Sequence, residues 1–203
     1  TLLITFFAAI LGIILGFIVA IIRSTHDKSG HFKILNAVCR VYLTVIRGTP
    51  TMIQLLIMNF VIFGSVSLDK VIVGSLAFGI NSGAYVAEIV RSGIMSIDPG
   101  QTEAGRSLGL NFTQTMKLII MPQAFKNVLP ALVNEFIVLL KETSIIGYIG
   151  MMDLAKGAML IQSRTYNAFL PLIAAALIYL ALVMFLTFLM NKIERRLRTN
   201  ERK

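Results

Sequence analysis

Residues 103–122 read EAGRSLGLNFTQTMKLIIMP, a polar stretch that lies between long apolar segments. It opens with an acidic residue and two small ones, Glu103-Ala104-Gly105, continues to Gly109, and closes on Ile119-x-x-Pro122. The rest of the chain is strongly apolar, with a mean hydropathy of +0.80, 56% hydrophobic residues and no Trp. A polar helical segment held in a membrane protein usually contacts something outside the membrane, so we expect this one to be a docking element.

Local signals predict that the docking segment, residues 98–117, is a helix, a turn and the start of a second helix. Asp98 offers an N-cap, with Pro99 at the first helical position. Gln101 follows Asp98 at the spacing of a capping box. Gly109 is expected to end the first helix, because glycine is the default residue where a helix terminates in a left-handed turn. Asn111 is expected to begin the second helix.

Five apolar stretches have the length of membrane spans, since a span needs about 20 apolar residues. They cover roughly residues 1–22, 41–63, 71–90, 118–140 and 168–190. The second holds Arg47 and Pro50 near its start, so its first turns are expected at the membrane interface. The fourth holds Lys126, so its buried part is expected to begin later. We read residues 1–22 as a span and not a signal peptide, because no basic region precedes them. The expected fold is an all-α polytopic membrane protein with a single domain, residues 1–203.

The basic residues indicate the orientation. The segments on one side carry Arg23, Lys28, Lys33 and Arg40, then Arg91, Arg106 and Lys117, then Lys192, Arg195, Arg196, Arg198, Arg202 and Lys203. The segments on the other side, 64–70 and 141–167, carry Lys70, Lys141, Lys156 and Arg164. Because cytoplasmic loops hold the excess of Lys and Arg, the N-terminus is predicted outside and the C-terminus in the cytoplasm. The docking segment then faces the cytoplasm.

The order of residues in the docking segment closely resembles the EAA loop of ABC importer permeases, with Gly105 where that family usually has Ala. Other blocks resemble the polar amino acid branch of these permeases. They are Arg47-Gly48-Thr49-Pro50, Tyr85-x-x-Glu88-Ile89-x-Arg91-x-Gly93-Ile94, Gly100-Gln101 and Leu140-Lys141-Glu142-Thr143-Ser144.

The resemblance implies a type I importer in a bacterial plasma (inner) membrane. Its partners would be a second permease subunit, identical or related, two ATP-binding cassette subunits and an extracellular solute-binding protein. ATP would bind to the cassette subunits, so this chain needs no cofactor. The loop would be a coupling helix that docks into a cleft on the cytoplasmic ATPase. The residues implied in that contact are Glu103, Ala104, Gly105, Ser107, Leu108 and Gly109.

Polar side chains recur at helical spacing inside the predicted spans, where burying them in lipid is costly. Asn81, Tyr85 and Glu88, for example, follow i, i+4 and i+7 and share one face. We expect such faces to line a translocation path. The side chains assigned to it are Gln54, Asn81, Tyr85, Glu88, Asn134, Glu135 and Glu142. The alternative is that they satisfy one another, as Glu88 would with Arg91 one turn away.

The acids in this set favour a cationic amino acid (arginine, lysine or histidine), because a carboxylate facing water attracts a positive side chain. Glutamine or glutamate is the alternative. Arg91 and Lys141 lie close enough to neutralise two of the acids.

Other classes of function find little support in the sequence. A membrane-embedded enzyme would need a nucleophile–base or metal cluster, and no His-Glu-x-x-His, Gly-x-Ser-x-Gly or cysteine pair occurs. A passive channel would not need a docking helix. The formal net charge of +9 is explained by cytoplasmic loops and does not indicate nucleic acid. Gly12-x-x-x-Gly16 and Gly79-x-x-x-Gly83 are expected to allow close helix packing.

Overall fold

The computed structural model describes residues 1–30 and 32–199, and these residues form nine α-helices and no strand. The helices are α1 (Leu2–Ser29), α2 (Lys33–Gly48), α3 (Thr51–Ile57), α4 (Lys70–Met95), α5 (Pro99–Ser107), α6 (Phe112–Thr115), α7 (Met121–Glu142), α8 (Leu154–Thr165) and α9 (Phe169–Thr199). A π-helical turn extends α3 over Met58–Ile62, another joins α6 to α7 over Met116–Ile120, and a 3-10 helix, Thr143–Ile149, follows α7. The predicted all-α class is confirmed. Arg202 and Lys203, which were counted for the orientation, lie outside the described residues.

Three helices of the described chain are long and apolar enough to cross a membrane. They cover Leu2–Asp27, Lys70–Met95 and Phe169–Lys192, and they contain the predicted spans 1–22, 71–90 and 168–190. The predicted fourth span coincides largely with α7, which is less apolar. The number of spans therefore stays a prediction.

The second predicted span, residues 41–63, is not one straight helix. Helices α2 and α3 meet at a bend of 108° and together are long and apolar enough to cross a membrane, so this stretch is a broken span or a re-entrant loop. Pro50 lacks a backbone N–H and disfavours helical conformation at the residue before it. Thr49 is accordingly extended, with φ −122° and ψ 146°, and the helix restarts at Thr51.

Helices α1 and α4 run side by side in the same direction and make the most extensive contact between the described helices. A Cβ on Gly12 would lie 3.0 Å from the Ser82 Cβ, and one on Gly16 would lie 2.4 Å from Val86 Cγ1. On the facing helix, a Cβ on Gly79 would lie 2.7 Å from a methyl group of Leu11. Both predicted small-residue motifs therefore lie in this contact, where absent side chains let the backbones approach.

Helix α7 packs on the same pair in the opposite direction. Near its start, Val128 lies against Gly93 of α4, and beyond its end the Thr143 hydroxyl is 3.0 Å from that of Thr5 at the start of α1. The ends of α1 and α4 thus lie beside the start of α7, and α5 and α6 connect α4 to α7 at this end. The 3-10 helix and α8 lie at the other end of the bundle.

Candidate functional site

The docking segment begins with the predicted helix cap at Asp98, with Pro99 in the first turn, but the predicted capping box with Gln101 does not form. The Asp98 carboxylate accepts a hydrogen bond from the Gly100 N–H at 2.6 Å. The Gln101 side chain does not fold back on Asp98, and its oxygen is 3.4 Å from the Gln123 amide nitrogen. The capping box forms one helix later, where Asn111 and Gln114 exchange two side chain–backbone bonds of 2.9 Å.

Gly109 ends α5, as predicted. Its φ is +82°, a conformation that costs a residue with a Cβ roughly 1–2 kcal/mol. The Gly109 N–H donates to the Arg106 carbonyl at 2.9 Å, and the Leu110 N–H donates to the Gly105 carbonyl at 3.1 Å. These two bonds form a Schellman motif, which satisfies carbonyls at the helix end. The turn after α5 is therefore fixed by its own backbone.

The predicted coupling residues divide by exposure. Glu103, Ala104, Ser107, Leu108 and Gly109 are exposed, and the Leu108 side chain is 78% exposed at the tip of the turn. An apolar side chain displayed on a capped polar turn is suited to contact a partner.

Gly105 differs from the other coupling residues, because it is buried. A Cβ there would lie 2.7 Å from Thr115 Cγ2 and 3.1 Å from Ile119 Cδ1. Gly105 therefore packs α5 against α6 and its π-helical turn instead of facing outward. This contact explains why the position holds glycine and not alanine.

A cleft of about 870 Å³ opens beside α5. It lies between the end of α4 and the start of α6, with Ile94 and Phe112 among its apolar walls and Glu103 and Arg106 among its charged ones. Its volume falls in the range of ligand pockets.

Two of the predicted path residues support the break between α2 and α3. The Gln54 amide donates to the carbonyls of Ile46 at 2.7 Å and Thr49 at 3.0 Å. These carbonyls lost their helical partners when the helix broke. The Gln54 oxygen in turn accepts from the amide of Asn81, which is 1% exposed, at 2.9 Å. The break is thereby tied to α4.

Glu88 is surrounded by arginines from three helices. Its carboxylate lies 3.2 Å from Arg23, 3.7 Å from Arg47 and 3.5 Å from Arg91. Arg91 also pairs with Asp27 at 3.1 Å. For Glu88, the alternative of internal pairing is therefore what the structure shows. We call Glu88, Arg23, Arg47, Arg91 and Asp27 the Glu88 cluster.

The remaining predicted residues lie at other places. Arg47 is 5.8 Å from the ring centre of Tyr85, a cation–π contact,. On α7, Asn134 is exposed and Glu135 accepts a hydrogen bond from the Ser82 hydroxyl at 2.8 Å. Glu142 is half-buried at the far end of α7. The seven side chains form two groups, one along α3 and α4 and one along α7, joined through Ser82.

Sequence reasoning missed Ser82, Arg23 and Asp27 as parts of these groups. Ser82 was hidden by its place in a small-residue motif. Arg23 and Asp27 lie beyond the predicted span 1–22, although α1 continues through them to Ser29. The described residues contain no group of three or more His, Cys, Asp or Glu side chains arranged to hold a metal ion.

The known proteins that match this chain are components of membrane transport systems. A family model described as "Binding-protein-dependent transport system inner membrane component" matches residues 4–199. The chain is 40% identical over 203 residues to the arginine transport system permease protein ArtQ of Bacillus subtilis, covering 99% of this chain and 90% of that protein. It is 32% identical over 197 residues to the glutamine transport system permease protein GlnP of Escherichia coli, covering 96% and 90%.

Solved structures are similar as well. A crystal structure of an amino acid ABC transporter with histidines has a TM-score of 0.85 and 43% identity, covering 95% of this chain and 88% of that one. An inward-facing structure of the MetNI methionine ABC transporter has a TM-score of 0.78 at 20% identity, covering 95% and 90%, and at that identity it supports the fold alone.

Proposed function

We propose the following roles on one premise: the chain belongs to the family of binding-protein-dependent transport system inner membrane components, and it is a permease subunit of an amino acid ABC importer. It is a multi-pass inner membrane protein and a transport component, not an enzyme. The proposal concerns its partners, its orientation, its coupling surface and its path.

The assembly contains two permease subunits, two ATP-binding cassette subunits that bind ATP, and an extracellular solute-binding protein. The N-terminus lies outside and the C-terminus in the cytoplasm. The distribution of basic residues supports this orientation. Basic residues concentrate in the segments on one side,, and α5, at the ends of α1 and α4, lies on that side. This arrangement exposes α5 to a cytoplasmic ATPase.

The exposed face of α5 transmits movement between the ATPase and the spans. The observation that carries this role is Leu108, 78% exposed on a turn held by two backbone hydrogen bonds. A rigid turn can pass force, and an exposed apolar tip gains stability when a partner covers it. Gly105 anchors the same helix to α6, whose π-helical turn leads directly into α7.

The experiment for coupling replaces Leu108. Leu108→Asp should lower substrate-stimulated ATP hydrolysis by the purified complex about tenfold or more, because it puts a charge into an apolar contact. Lys117→Gln, also exposed in the docking segment, is the matched control and should leave hydrolysis unchanged. Normal stimulation in Leu108→Asp would contradict the docking role.

The translocation path follows the polar residues of α3, α4 and α7, and the cargo is a polar amino acid. A cationic cargo is supported by Glu135 and Glu142, which lie outside the Glu88 cluster. A glutamine-like cargo is supported by the amides of Gln54, Asn81 and Asn134, and by the pairing of Glu88 with arginines. The named relatives include permeases of both kinds.

Competition for uptake decides between the two cargoes. Vesicles carrying the permease, its ATPase and its binding protein would be tested with unlabelled arginine, lysine, histidine, glutamine and glutamate. If the three basic amino acids fail to compete and glutamine or glutamate succeeds, Glu135 and Glu142 do not select charge.

A further inference from the structure

A basic pocket of about 510 Å³ lies between α1, α2 and α4 and is distinct from the cleft beside α5. Its lining is unusual for an apolar protein because most of it is polar or charged. The lining residues are Arg23, Arg40, Leu43, Thr44, Arg47, Gly48 and Glu88. Three guanidinium groups and a single carboxylate give this lining a net charge of +2.

The carboxylates of the protein do not balance that charge. Glu88 already forms ion pairs with Arg23, Arg47 and Arg91. Within the described part of the chain, Arg40 makes no ion pair or hydrogen bond. The Arg23 Nε–H is buried without a hydrogen-bond partner, and a buried donor left unpaired costs roughly 1–3 kcal/mol. An anion bound in the pocket would satisfy both groups.

The depth of the pocket matches the level of lipid phosphates. The apolar run of α1, residues 2–22, is about 32 Å long as a helix, and that of α4, residues 71–87, is about 26 Å long. Hydrocarbon cores are about 30 Å thick. Arg23 and Glu88 directly follow these two runs, so both stand where the hydrocarbon ends.

An apolar stripe adjoins the pocket on α2. Ile34, Val38, Val41 and Val45 follow one face of this helix, and each is more than half exposed. The stripe extends from the start of α2 to the level of Arg47. A ligand with a charged head and apolar chains fits both surfaces at once.

We propose that this pocket binds the phosphate head group of an anionic phospholipid, in the leaflet where α1 and α4 end, with the acyl chains along the α2 stripe. Basic pockets between membrane helices are known sites for such head groups. The lipid holds α2 against α1 and α4 beside the break at Pro50. Free inorganic phosphate carries the same charged group as the lipid, but it has no acyl chains that could contact the stripe.

The test measures bound lipid by native mass spectrometry on the purified transporter complex, equilibrated with phosphatidylcholine micelles containing a minor fraction of phosphatidylglycerol. The wild type should retain phosphatidylglycerol selectively. Arg40→Gln should lower that retention about fivefold, because it removes one of the three guanidinium groups that line the pocket, and one basic group beside an anionic head group contributes about that much. Arg40 lies outside the Glu88 ion pairs, so this variant leaves them in place. Lys33→Gln, an equal charge change on α2 outside the pocket, should retain lipid as the wild type does.

Three further arms make the result decisive. Thr44→Val removes a hydroxyl from the pocket without changing charge and should weaken retention about twofold to threefold, which covers the case that Arg40→Gln does not fold. Excess inorganic phosphate should leave the lipid bound. The proposal is overturned if phosphatidylcholine is retained equally, if Arg40→Gln or Thr44→Val retains lipid like the wild type, or if inorganic phosphate displaces it.

Discussion

Glycine is favoured both at Gly16 and at Gly109, but for opposite reasons. At Gly16 the backbone is ordinary helix and the space is missing, since a Cβ would lie 2.4 Å from Val86. At Gly109 the space is free, with nothing within 4 Å, and the backbone is special, with φ +82°. The first glycine belongs to the contact that builds the bundle. The second belongs to the exposed turn that we propose as the ATPase contact.

The α1–α4 contact and the turn after α5 should respond differently to substitution. The contact between α1 and α4 is set by shape, so errors there affect the whole fold. The turn after α5 is set by local backbone bonds, so errors there stay local and affect what the turn touches. A substitution at Gly16 should therefore reduce the amount of folded protein, whereas a bulky substitution at Gly109 should leave the fold intact and reduce coupling to the ATPase.

The largest effect is expected for Gly16→Leu. The added side chain overlaps Val86 and the Ala87 backbone, and overpacking a tight contact typically costs 1–3 kcal/mol and occasionally more. We expect little monodisperse protein after detergent extraction, measured by size-exclusion chromatography. Gly157→Leu on α8, where nothing lies within 4 Å of the added Cβ, is the control and should be extracted as the wild type is. Equal recovery of both variants would mean that the α1–α4 contact accommodates the added side chain at little cost in stability.

The second effect is expected for Gly109→Arg, which should fold and insert normally but lose substrate-stimulated ATP hydrolysis about tenfold or more. Gly109→Ala imposes the same backbone strain, roughly 1–2 kcal/mol, without the bulk. The alanine variant should therefore keep most of its coupling. If alanine and arginine reduce hydrolysis equally, the loss comes from strain in the turn and not from a blocked contact.

Local features of the fold could be predicted from the sequence because their causes are local. Gly109 ends a helix through its own φ, and Asn111 starts one through its own side chain. The apolar runs of α1 and α9 exceed the span length by themselves. The two glycine motifs predicted a close contact between helices, but the sequence did not indicate that the two motifs would face each other.

Features that depend on distant partners could not be read in this way. Gln101 has capping-box spacing but lies near Gln123, which only tertiary packing brings close. Glu88 was expected to pair at most with Arg91, since Arg23 and Arg47 lie on other helices. The 108° break needed both Pro50 and the amide of Gln54 that satisfies the broken end.

A smaller effect is expected for a substitution at Gly105. Gly105 lies in the docking segment, but, as at Gly16, the space for a side chain is missing. An added Cβ would lie 2.7 Å from Thr115 Cγ2. Gly105→Ala should lower thermal stability by about 1–3 kcal/mol, measured by melting in detergent. Combining it with Thr115→Ser, which removes that methyl group, should restore most of the loss. Additive losses in the double variant would show that Thr115 is not the obstacle.

The smallest effect on activity is expected from cysteines placed to test orientation, because they replace exposed residues outside the proposed ATPase contact. Ser163 lies on α8 and Thr113 on α6, and α8 and α6 are at opposite ends of the bundle. In a Cys39→Ser background, a membrane-impermeant thiol reagent added to whole cells should label Ser163→Cys and leave Thr113→Cys unlabelled until the membrane is opened. The pairing matters because both residues are exposed and neither is assigned to the ATPase contact, so a difference in labelling reports the side of the membrane and not burial. The reverse pattern would place α5 outside the cell, where no ATPase can reach Leu108, and the coupling role of Gly109 would fail with it.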